Sequence, residues 1–189
     1  MPEMVKLNSD FNLRRISQTM YAQTKTLPAF KLLAFALLFV LVSLTPLFLH
    51  TQWFTGPLVN AALIMAVILV GPMEAIILGL IPSSVALSSG LLPLPLAPMV
   101  PFIMMSNAVF VAIFAYMQPA NYWLALGIAS VLKFAFLSLT VSLLMGNLLP
   151  GNLLAQVAVM MSWPQLVTAL IGGVIAFGIL KSVEYSRRS

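Results

Sequence analysis

Cysteine is absent from this chain of 189 residues, which excludes disulfides, thiol nucleophiles, thiolate metal ligands and palmitoyl anchors together. Histidine occurs once, as His50. With a single imidazole and no thiolate, no multi-ligand metal site is expected. Charge is scarce too: Asp, Glu, Lys and Arg make up 7% of the chain, where a soluble domain carries about 25%. A serine, histidine and acid triad would have to join His50 to Glu74, which the helix order puts near opposite membrane faces. No Gly-Lys-Ser or Gly-Lys-Thr occurs, so ATP hydrolysis at a phosphate loop is excluded. The expectation is a protein that is not an enzyme and holds no cofactor.

Hydrophobic residues, by contrast, make up 61% of the sequence. That much apolar surface needs lipid around it, and the chain reads as one integral membrane domain. The net charge of +5 is placed in a way that argues against nucleic acid as a partner. Lys6, Arg14, Arg15, Lys25 and Lys31 precede the first apolar run, and Lys181, Arg187 and Arg188 follow the last. Between Leu32 and Leu180 the only charges are Glu74 and Lys133. Basic ends around an uncharged middle follow the positive-inside rule. Both termini are therefore expected in the cytoplasm, with an even number of spans across the cell's inner or plasma membrane. The first run is too long for a signal-peptide core and reads as a retained helix.

The expected fold is all-α, an integral membrane bundle of six transmembrane helices. Residues 1–28 form a basic cytoplasmic segment. Leu13, Ile16 and Met20 at helical spacing suit either a short helix on the anionic membrane face or a frayed tail. The membrane domain covers 29–182, and 183–189 form a cytoplasmic tail. The first helix runs from about Ala29 to Leu49, and His50 to Trp53 form an outer loop. The second begins near Pro57, where proline in the first turn loses no needed bond, and ends near Val70. After Gly71-Pro72 the third runs to about Leu87, kinked or broken at Pro82. Prolines at 93, 95, 98 and 101 make 90–101 an extended outer loop without helix. The fourth helix covers Pro101 to Met117 and the fifth Asn121 to Met145, followed by a second outer loop over 146–160. The sixth opens with the capping-box spacing Ser162-Trp163-Pro164-Gln165 and ends near Lys181. Within it Ala169, Gly172, Gly173 and Ala176 allow close helix approach.

Lys133 lies near the middle of the fifth helix, at a depth where a lysine costs roughly 3 kcal/mol on insertion scales. It either binds an anionic group of a ligand, such as a carboxylate or phosphate, or bonds carbonyls of a broken neighbouring helix. Asn107 reads a ligand or hydrogen-bonds across helices, and Asn60 carries the same pair of readings. Trp163 and Gln165, at the outer mouth of the sixth helix, are an aromatic lid and an amide ligand, or else an interfacial anchor and a cap. His50 and Trp53 in the first outer loop share that choice. Glu74, in the first turn of the third helix, is favoured by the helix dipole and suits contact with a partner subunit better than ligand binding. It is too shallow to pair with Lys133.

The layout resembles the S components, the substrate-capture subunits, of energy-coupling factor (ECF) type vitamin importers. The likeness covers residues 29–182 and rests on size, six helices with both ends inside, GPLVNAALIMAVILVG, GLLPLPLAPMVPFIMMSNAVF, the lysine-bearing fifth helix and SWPQLVTALIGG. It implies a small-molecule site in the outer half, with Asn107, Lys133, Trp163 and Gln165 around it. The substrate would be a vitamin-like micronutrient or precursor carrying an anionic group. It also implies a transmembrane T component and two cytoplasmic ATPases as partners. Family members carry an Ala-xxx-Ala pair on the first helix to dock the T component; here that spacing falls on the second, at Ala62 and Ala66. Two other classes fit the same residues: a stand-alone transporter or channel, and a membrane scaffold without transport.

Overall fold

The computed structural model describes residues 28–49, 51–90, 92, 94–144 and 151–188. His50, the segment 1–27 and residues 145–150 lie outside it, so neither the expected interfacial helix nor the ligand role of His50 is addressed. All regular structure among the described residues is helical. The order is α1 Pro28–Phe48, α2 Gln52–Leu69, α3 Pro72–Ser88, a 3-10 turn Leu94–Met99, α4 Val100–Met117, α5 Tyr122–Leu144, α6 Gly151–Met160 and α7 Trp163–Arg188. Five of these helices are long and apolar enough to cross a membrane, which marks a multi-pass membrane protein. The helix α3 is apolar but has 17 residues, a rise of about 26 Å against a hydrocarbon core of ~30 Å.

Five local expectations are corrected. Helix α2 starts at Gln52, five residues before Pro57, because Thr51 O accepts the amides of Phe54 and Thr55 at 3.2 and 3.0 Å. Gln52 and Trp53 therefore belong to a helix and not to a loop. The proline-rich stretch contains a 3-10 turn, whose φ near −60° suits proline. The supposed loop over 146–160 contains α6, whose Val157 packs beside Met161 against Leu92, Leu137 and Val141. Ser162 makes no capping box: its Oγ donates to Val159 O at 2.8 Å, and the Gln165 amide goes to the Ser162 carbonyl. Pro82 lies buried within a continuous α3 and does not break it.

The bundle is organised around α2, which is buried at every position from Val59 to Ile68. A helix apolar all round belongs in the interior. Its neighbours are α1, α3, α4 and α7, while α5 packs on α4 and α7. Gly71, at φ +153°, separates α2 from α3, and Gly90, at φ +77°, ends α3 in a left-handed conformation open to glycine. The small residues of α7 serve two neighbours. A Cβ built on Gly172 would lie 2.7 Å from Pro57 O and 2.9 Å from Ala61 N, so here the α7 and α2 backbones touch. Gly173 sits against Leu126 of α5.

Gly172→Ala is accordingly expected to destabilise the bundle by roughly 1–3 kcal/mol, the usual range for overpacking. The offending atoms are backbone and cannot rotate away. Gly178→Ala meets nothing within 4 Å and should be neutral or stabilising by up to about 1 kcal/mol through helix propensity. Thermal unfolding of both variants in detergent compares them; equal melting temperatures would contradict the close contact.

Candidate functional site

Lys133 is 3% exposed and projects from α5 toward α2 and α4. Its ammonium donates to Asn60 Oδ1 at 2.7 Å and to Asn107 Oδ1 at 2.8 Å. Its Nζ also stands 5.3 Å from the centre of the Phe110 ring, within range of a cation–π contact. Asn107 is itself fixed, because its Nδ2 donates to Gly79 O at 2.8 Å. The absence of a side chain at Gly79 permits this, since a Cβ there would lie 3.1 Å from Asn107 Cβ. Three helices are thus tied through one amine and two amides, and α3 is tied to them through a carbonyl. Of the two readings of Lys133, the one that bonds it to main-chain carbonyls is not seen, its acceptors being side-chain oxygens, and Lys133 and Glu74 do not pair.

This clasp borders a partly open cavity of about 200 Å³. Its lining comes from one end of the bundle: Pro46 near the end of α1, Gln52 and Thr55 opening α2, Ser83 and Ala86 late in α3, and Met160, Met161 and Gln165 at the α6–α7 junction. Most of the wall is apolar, and no acidic residue lines it among the described residues. At the mouth, Gln52 Nε2 and Gln165 Nε2 both donate to Met160 O, at 2.8 and 3.3 Å. This pair holds the short α6 to the starts of α2 and α7.

The ordinary use of lysine donors leaves one vacancy. An ammonium has three N–H donors, and the described residues take two of them. A second unused donor lines the same cavity. Ser83 is 5% exposed and its Oγ has no hydrogen-bond partner. A helical serine commonly bonds back to the carbonyl four residues earlier, as Ser84 does to Leu80 O. For Ser83 that carbonyl is Gly79 O, which already accepts from Asn107.

Of the residues singled out in the sequence, Asn60, Asn107, Lys133 and Gln165 meet at this cavity. Trp53 and Trp163 do come together, with ring centres 5.4 Å apart. They are 48% and 56% exposed and lie outside the lining, an exposure that fits interfacial anchoring. Glu74 is remote from the cavity, half-buried, with its carboxylate beside Gly71. Ala62 and Ala66 are both fully buried by neighbours in this chain, so they offer no surface to a docking subunit. Ser83, Gln52 and Gly79 escaped the sequence reading. For Ser83 the only available signal was a polar residue beside a mid-helix proline.

Comparison with known families, with curated proteins and with solved structures found no match to this chain.

Proposed function

We propose that this chain is the substrate-binding membrane subunit of an ECF-type importer, with six spans, cytoplasmic termini and the cavity facing outward. The observation that carries the reading is the buried Lys133 ammonium, which keeps one donor uncommitted at the wall of a cavity open at one end of the bundle. An intramembrane ionisable residue in contact with a cavity marks a ligand or ion pathway. Capture fits better than conduction, because α2 is buried without interruption from Val59 to Ile68. Transport would then need a T component and two ATPases to reorient the subunit. Their docking surface is not Ala62 and Ala66, and the outer faces of α1 and of Glu74 remain available for it.

The test is a comparison of the purified chain alone with the chain in its native membrane. Native mass spectrometry in detergent should find one small molecule bound without ATP. Liposomes holding the chain alone should show binding without sustained uptake. Steady uptake by the lone chain would instead make it a stand-alone transporter. A chain that is always empty and copurifies with no T component or ATPase would make it a scaffold.

A further inference from the structure

We propose that the cavity takes a small monoanion, a single ring or short chain bearing one carboxylate-like group that accepts from Lys133 Nζ and Ser83 Oγ together. The inference rests on the capture reading above and adds to it a chemical class, a size and a second binding residue.

Charge decides the class. The Lys133 ammonium is buried beside two neutral amides and a ring face, and no acid lines its cavity among the described residues. Amide oxygens satisfy hydrogen bonds but leave the positive charge uncompensated. A guest anion supplies that charge and accepts from the ammonium's third N–H.

Ser83 is the independent sign that a guest belongs there. Ser83 lines the cavity, and its hydroxyl is buried and has no partner. The vacancy follows from the same Asn107 bond that fixes the clasp. Ser83 lies one turn beyond Gly79 along α3, a rise of about 6 Å. Two donors at these positions suit an acceptor with more than one oxygen. Ser83 adds nothing to the fold through its hydroxyl, so the residue has no structural duty that would account for it.

Volume sets the size. An apolar cavity of about 150 Å³ takes a benzene ring. The cavity here, about 200 Å³, leaves room for one ring and one small charged substituent. It falls below the 300–1,000 Å³ of pockets for drug-sized ligands.

Benzoate, benzamide and benzyl alcohol form a probe set of one size that differs in charge and acceptors. Equilibrium binding to the detergent-purified full chain should show saturable benzoate binding, with benzamide and benzyl alcohol about tenfold weaker or more. Ser83→Ala should weaken benzoate about tenfold and leave the melting temperature of the empty protein unchanged, because no internal bond is lost. Lys133→Met should remove the preference for the anion. The proposal is overturned if benzamide binds as well as benzoate, if Ser83→Ala binds benzoate at full strength, or if benzoate does not bind. Should benzoate fail while native mass spectrometry finds a neutral molecule on the chain, the capture reading stands and only the anion assignment falls. An empty chain that also refuses all three probes removes both.

Discussion

Lys133→Met should reduce affinity for the compound that copurifies with the chain by about a hundredfold, the equivalent of one lost bond to a charged group. The bundle itself should remain folded. Methionine is close to lysine in length and removes a charge that is costly in an apolar interior. Against that gain, Asn60 Oδ1 and Asn107 Oδ1 each lose their only described donor, at about 1–3 kcal/mol per buried acceptor. The two effects oppose each other, so stability should change far less than affinity. A binding isotherm and a thermal unfolding curve on the same preparation separate them. Undiminished binding by this variant would take Lys133 out of the site.

Asn60→Leu should do the reverse, with its larger effect on the fold. It removes the acceptor at 2.7 Å and leaves a buried N–H of a cation unpaired, a loss of about 3 kcal/mol. Asn60 also has α7 pressed against it, since a Cβ on Gly172 would lie 2.7 Å from Asn60 Cβ. Leucine, tetrahedral at Cγ, fills that space less well than the planar amide. The sign of the electrostatic part shows in the double variant. Asn60→Leu combined with Lys133→Met strands no charge and should recover most of the lost stability. Partial recovery by about 2 kcal/mol is expected, because the clasp is one coupled unit and its members do not add independently. If Asn60→Leu is as stable as the parent, the ammonium has another acceptor and the clasp is not what holds it.

Each of these expectations depends on a partnership that links distant stretches of chain, and that shapes what could be read beforehand. The long apolar runs were legible because hydropathy is a local sum over about 20 residues. The helices α1, α4 and α5 accordingly match their expected ranges to within one or two residues. The start expected at Pro57 and the break expected at Pro82 were less reliable. Pro57 and Pro82 both sit inside helices, since a buried helix loses one bond at proline and keeps its packing on both sides. The short α6 was hidden because Pro150, Gly151 and Asn152 resemble a turn, while its stability comes from Met161, Val157 and the residues they meet in α5 and near Leu92.

By itself the sequence established a membrane bundle with Lys133 as its polar centre, because a charge in an apolar run is costly wherever the neighbours lie. Only the tertiary structure decided that Asn60, 73 residues away, and Asn107, 26 residues away, hold that lysine. It also decided that α2 is central, that Ala62 and Ala66 are enclosed, and that Ser83 belongs to the cavity lining with its hydroxyl unpaired. The reason is that lipid and protein interior are equally apolar. In a soluble helix the polar face points outward and discloses the buried one, whereas here every face reads alike. Which side of a helix meets another is therefore set by small residues and hydrogen bonds, whose partners become known only once the helices are packed.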